Sequence, residues 1–309
     1  MNNNNFFNKN LEELPSSHNA SNICECAECS SQLREKKIFF ESFHKSYQER
    51  RFSLVPDPYI NSGLYEDYGK CKKTIVVIEP GEMLFIPAGW FHYVISEEDK
   101  ETNLNMAISY FTHHDNCIDC DLDKDKIFKD LEEISINNLV YSKYKNLSQP
   151  FIIRDYFEHN KKFSLLDMTK DKIRKMYPKN VIVTKSKRPL FASNYIKKHF
   201  PDCCEEKEMK FDDFLSSNNK SYYLIQNEKK IKEIPYFLEK EKYSNFSSWI
   251  NFGDCYTVLH YDTYNNILMQ ILGKKKVILI PPSEYKSLHL INTMDTKLLC
   301  TIKTILNLN

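Results

Sequence analysis

The chain has no long apolar run. No stretch approaches the roughly 20 apolar residues of a membrane-spanning helix, so no bilayer span is expected. An excess of charge of one sign is also missing, with 43 basic residues against 42 acidic ones and a formal net charge of +1. That balance gives no electrostatic reason to expect a polyanion as the main partner, although it leaves room for a local basic face. Glycine is scarce, six in 309 residues, and no Gly-rich phosphate loop, Ser-His-Asp arrangement or nucleophile elbow occurs. The N-terminal stretch MNNNNFFNKNLEELPSSHNAS is polar where a signal peptide would be apolar. The expected location is therefore inside a cell, cytoplasmic or nuclear and not secreted. There the ten cysteines are expected as thiols or metal ligands rather than disulfides.

What is present is core material: 41% of residues are hydrophobic and 13% aromatic, enough for one large domain or two smaller ones. Residues 1–34 show no hydrophobic periodicity and are expected to form a disordered leader. Between 35 and 115, KKTIVVIEPGEMLFIPAGWFHYVI contains two β-branched and aromatic runs around a Pro-Gly step, which predicts strand, tight turn, strand; LNMAISYF follows as a third run. Residues 116–139 are acidic, then amphipathic, with Ile127, Phe128, Leu131 and Ile134 near helical spacing, so a linker or helix is expected. From 140 to 309, short strand candidates such as NVIVTKS, SYYLIQ, YTVLHYD and KKKVILIPP alternate with helical stretches such as TKDKIRKMY and KFDDFLSS. Many short strands with turn signals predict a mainly β barrel or sandwich with flanking helices. After Pro282 the strand series has no clear continuation.

The chemistry concentrates at His260-x-Asp262. Residues two apart on a strand face the same side, so both can reach one ion. An imidazole with a carboxylate suits Fe(II), Mn(II) or Zn(II), and two histidines with one carboxylate is the facial triad of non-haem iron oxygenases. Taken alone, His-x-Asp is equally a surface histidine beside a turn-forming aspartate.

The surrounding stretch WINFGDCYTVLHYDTYNNILMQILGKKKVILIPPS carries Trp249, Thr257, His260, Asp262, Asn266, Gln270, Gly273, Lys275, Pro281 and Pro282. This series resembles the metal-binding half of the JmjC or cupin-like oxygenases, which use Fe(II) and 2-oxoglutarate. They include the factor-inhibiting asparaginyl hydroxylase group and the tRNA wybutosine-synthesising hydroxylases. IVVIEPGEMLFIPAGWFHYVISEE resembles the strand, turn and strand that carry the family's second histidine, so His92 is implied as the third ligand. The resemblance implies a double-stranded β-helix (cupin, jelly-roll) barrel and assigns Lys275, Thr257 and Tyr223 to the far carboxylate of 2-oxoglutarate. Tyr222 is the alternative if the register slips by one. Asn266 and Ser109 are implied as secondary polar contacts near the cosubstrate.

In the family the His-x-Asp strand comes first; here His92 precedes it, so the halves read in reversed order. Three arrangements follow. The halves close one permuted or split barrel, they complete one another between two chains as a swapped homodimer, or they are remnants of a tandem pair with no intact site. The activity implied is hydroxylation of a macromolecular substrate, a protein side chain or a tRNA base. The alternative is a non-catalytic binding module or a degenerate duplicate. Separately, Cys26-x-x-Cys29 and Cys117-x-x-Cys120 have zinc half-site spacing, and a structural zinc or chance clustering both account for pairs about 90 residues apart.

Overall fold

The computed structural model describes residues 53, 66–112, 131–136, 149–159, 165, 168–186, 190–191, 204–226, 243–262 and 264–288. All of them belong to the unit Glu49–Asn309. The leader 1–34 and the four cysteines of the two Cys-x-x-Cys pairs lie outside the described residues.

The Pro-Gly turn forms where the sequence places it. It joins β1 (Thr74–Ile78) to β2 (Met83–Ile86). Glu82 N donates to Glu79 O at 3.0 Å and Gly81 has φ +94°. Proline presets the second turn position, and glycine supplies the left-handed third one that other residues resist. The turn carries the chain from one sheet to the other.

The small sheet has the order β1, β14 (Lys274–Ile280), β3 (Phe91–Glu97), β12 (Cys255–Tyr261), β8 (Leu190–Phe191). The large sheet has the order β5 (Glu132–Glu133), β6 (Phe151–Ile153), β2, β13 (Asn265–Leu272), β4 (Asn105–Thr112), β11 (Tyr243–Asn251), β10 (Tyr222–Gln226), β7 (Asn180–Ser186), β9 (Cys204–Lys210). In both sheets strands from 74–112 alternate with strands from 243–280, and no two strands of either group pair with each other. One chain thus closes the double-stranded β-helix. A second chain is not needed to bring the two groups together.

Between the sheets lie Val76, Ile78, Leu84, Ile86, Ala107, Leu268, Val277 and Leu279. The outer face of the large sheet is covered by helices α2 (Tyr156–His159), α3 (Lys170–Met176) and α4 (Phe211–Ser217), which contribute Tyr156, Ile173, Phe211 and Phe214 to a second core. Because both its faces are covered, β13 is buried at every residue. That explains why NILMQIL reads as a continuous apolar run rather than an alternation. Helix α3 starts at Thr169, whose side chain accepts from Lys172 N, a cap contributing about 1 kcal/mol. Another helix, α1 (Glu66–Lys70), and a 3-10 turn (Pro282–Leu288) place Tyr68 and Leu288 over the outer face of the small sheet.

The helical spacing expected over 116–139 fails in its described part. Glu132–Glu133 is a strand paired parallel to β6, and Ile134 N donates to Ile152 O at 2.9 Å. A free sheet edge satisfies this backbone and sends Ile134 and Ile136 into the core, which a one-turn helix at that place would not.

Candidate metal centre

His92 on β3 and His260 on β12 are directly opposite in an antiparallel pair. Further along, Thr257 pairs with Val94, so three steps on β12 answer two on β3. That extra residue is a β-bulge. In an unbroken strand Thr257 and His260, three apart, would face opposite sides. With the bulge, both reach the interior, and Asp262 follows on the side of His260.

The imidazole centroids of His92 and His260 are 4.3 Å apart with planes at 54°. His92 Nε2 lies 3.6 Å from Asp262 Oδ2, and one potential ligand atom from each of the three residues falls within 4.8 Å of the others. Each histidine turns its other nitrogen to its own strand: Nδ1 of His92 is 3.1 Å from Trp90 O, and Nδ1 of His260 is 2.7 Å from Val258 O. A carbonyl only accepts, so both Nδ1 atoms carry a proton, which leaves Nε2 as the ring nitrogen a metal would take. Gly89 N donates to Asp262 O and Ala88 N to Asn265 Oδ1, both at 2.9 Å, which ties the 87–90 turn to the Asp262 end of the site. Two imidazoles and one carboxylate, with the His92 ring buried and the Asp262 side chain 20% exposed, are a donor set that fits Fe(II), Mn(II) or Zn(II).

The interior also holds a cation. On β14, Lys274 is exposed and Lys275 is 3% exposed, as strand alternation requires. Lys275 Nζ donates to Ser96 Oγ at 2.7 Å, and no carboxylate among the described residues pairs with it. Burial pushes the ammonium down from 10.5 to about 8, with the neighbouring Cys255 acting in the opposite direction. A dry, unpaired ammonium is costly. It fits the carboxylate of a bound ligand.

Beside it, Tyr223 is fully buried, and desolvation raises its hydroxyl well above the ordinary value. Hydrogen bonds with the Asn251 and Thr257 side chains act against that shift. Tyr222 points the other way, into the core under the helices, whereas the Tyr223 ring meets Trp249 edge-on at 6.2 Å. Asn266 is buried, and its Oδ1 has no hydrogen-bond partner among the described residues. Ser109 accepts from Trp249 Nε1 at 3.1 Å, so its hydroxyl is engaged with that indole. The structure brings together His92, His260 and Asp262 in one group and Lys275, Ser96, Asn251, Tyr223 and Thr257 in a linked polar one. Sequence reasoning missed Ser96 and Asn251. Their one signal is the period-2 series His92, Val94, Ser96, which puts a small polar residue on the ligand face of β3.

Comparison with known proteins agrees with this geometry. The cupin-like domain matches residues 10–117 and 137–299. A JmjC domain-containing protein of Acanthamoeba polyphaga mimivirus is 25% identical over 240 residues, 74% of this chain and 37% of that protein. A lysine-specific demethylase of Arabidopsis thaliana is 37% identical over 57 residues, 18% of this chain and 10% of that protein. The chain thus spans well under two thirds of either relative. No solved structure matches it. A family match over most of the length, on a jelly-roll whose interior presents two histidines and a carboxylate to one point, establishes that the chain belongs to the JmjC/cupin-like family.

Proposed function

We propose that the chain is an Fe(II)- and 2-oxoglutarate-dependent oxygenase that hydroxylates a macromolecular substrate, a protein side chain or a tRNA base. The observation that carries the reading is the pairing, in one interior, of the His92, His260 and Asp262 group with a buried ammonium that has no carboxylate partner among the described residues. His92, His260 and Asp262 would hold the iron; Lys275, with Thr257 and Tyr223, would hold the far carboxylate of the cosubstrate, and Asn266 would offer an Oδ1 that has no partner among the described residues. When bound, iron and 2-oxoglutarate supply a hydroxylating oxidant from dioxygen while the cosubstrate loses carbon dioxide and becomes succinate. The chain's own residues orient the two groups, and the dry lysine end keeps water from the carboxylate contact. The family order of segments is proposed to be reversed here, with the His92 half ahead of the His260 half.

A 57-residue match does not carry a demethylase's substrate to this chain. The test is turnover of 2-oxoglutarate to succinate by the full chain with Fe(II) in air, alongside His260→Ala and His92→Ala. Stoichiometric iron binding with succinate formation, both lost in the two variants, is expected. Iron binding without any 2-oxoglutarate turnover or binding would favour a non-catalytic module, and turnover indifferent to His92→Ala would remove that ligand.

A further inference from the structure

The lysine end of the interior is built from two rows of side chains, one on each sheet. On the small sheet, Ser96 lies opposite Cys255 on one side and opposite Lys275 on the other. These three are 1–3% exposed. On the large sheet, Asn251 lies between Tyr223 and Asn105. One side-chain hydrogen bond joins the rows: Asn251 Nδ2 donates to Ser96 Oγ at 3.3 Å. The same Oγ accepts from Lys275 Nζ at 2.7 Å.

A serine hydroxyl has two lone pairs and one hydrogen. With both lone pairs occupied by Asn251 and Lys275, the hydrogen is the remaining group; it has no acceptor among the described residues, and Ser96 is 2% exposed. Asn251 is itself fixed, since its Oδ1 accepts from Gly253 N at 3.0 Å and its side chain bonds Tyr223. The chain of contacts runs from a backbone turn, through Asn251 and Ser96, to the ammonium. A lysine has a flexible four-carbon stem and gains direction only from what its head touches. Here that is Ser96.

We propose that Ser96, braced by Asn251 from the opposite sheet, is the positioning residue of the carboxylate site: it fixes the direction of the Lys275 ammonium and leaves its own hydroxyl hydrogen for the ligand's carboxylate. This rests on the oxygenase reading above. Its role concerns the far carboxylate alone and is separable from the metal end.

The test uses the full chain loaded with Mn(II) under nitrogen, titrated calorimetrically with 2-oxoglutarate and with pyruvate. Pyruvate keeps the 2-oxo acid end and lacks the far carboxylate. Ser96→Ala is expected to weaken 2-oxoglutarate about tenfold, the scale of a lost hydrogen bond to a charged group, with Mn(II) and pyruvate binding unchanged. Ser96→Thr keeps a hydroxyl and is expected to restore most of the affinity. Asn251→Ala, which leaves Ser96 in place but unbraced, is expected to weaken 2-oxoglutarate severalfold and spare pyruvate. It carries the test if Ser96→Ala does not fold. Unchanged 2-oxoglutarate affinity in whichever of these two folds overturns the role, as does equal weakening of both probes. An unaltered chain that binds Mn(II) but no 2-oxoglutarate overturns the oxygenase reading and this role with it.

Discussion

The two ends of the barrel interior use the same strands for opposite electrostatic problems. On β3, His92 serves one end and Ser96 the other; on β12, His260 and Thr257 divide in the same way. At the metal end a carboxylate and two imidazoles converge, and the Asp262 side chain retains 20% exposure. At the lysine end a cation has no carboxylate partner among the described residues, and Lys275 is 3% exposed. A carboxylate that water can reach costs little, because water solvates it. A buried ammonium costs much more. The lysine end is therefore where buried charge costs the fold more.

Lys275→Met should break the comparison most sharply. Replacing the buried charge with an apolar chain of similar length is expected to raise the melting temperature of the ligand-free protein by several degrees. The same change is expected to lower 2-oxoglutarate affinity about a hundredfold while leaving Mn(II) affinity intact. Thermal melting and calorimetry read the two effects, and a melting temperature that falls would show the ammonium to be stabilising. His260→Ala is the mirror image, losing metal while keeping the lysine end.

Raising the pH should sharpen the same contrast with a smaller step. The ammonium titrates at about 8 when folded, below its ordinary 10.5. Between those values the folded state binds fewer protons than the unfolded state, so Lys275 makes stability increase with pH across that window. The gain is on the order of 3 kcal/mol. Over the same range 2-oxoglutarate affinity should fall about tenfold per unit, as the folded site loses its charge. Denaturant melts and binding isotherms at pH 7.5 to 10, compared with Lys275→Met, isolate both slopes; a flat difference would remove the assignment.

The smallest effect is expected at Gly273, in the turn that delivers Lys275. Its φ is +68°, and an added Cβ would come within 2.2 Å of Glu97 O. Gly273→Ala should cost about 2 kcal/mol in denaturant melts and weaken 2-oxoglutarate more than Mn(II), because the displaced strand is β14. Equal losses at both ends would show that the turn supports the whole barrel evenly.

Much of this was legible in residues. Val, Ile and Phe runs around Pro80-Gly81 gave the strands and turn, His260-x-Asp262 gave two candidate ligands by period-2 geometry, and alternation in GKKK gave the inward lysine. Resemblance rather than pattern pointed to His92, whose apolar strand reads equally as packed core. Ser96 shows only as a small polar residue in period with His92, and Asn251 shows no such spacing, so neither stands out until the cross-sheet bond between them is known. The bulge in β12 is also silent, since an extra residue in one strand shows only against the register of its neighbour. The spacing of Leu131 and Ile134 misled because the two-residue strand Glu132–Glu133 between them is set by the sheet edge it meets, not by its own composition.

The alternation of early and late strands has a consequence for how the protein is made. Ser96 and Lys275 are 179 residues apart in the chain, so at typical synthesis rates about ten to forty seconds separate their emergence from the ribosome. Until the strands of 243–280 arrive, β1, β3 and β4 lack the neighbours they pair with and β2 has only β6, so their apolar runs stand as open edges. Contacts this distant in sequence also close slowly. Newly made chains are expected to be most prone to aggregation before β11 to β14 emerge, and the His92, His260 and Asp262 group can assemble only once Asp262 has emerged.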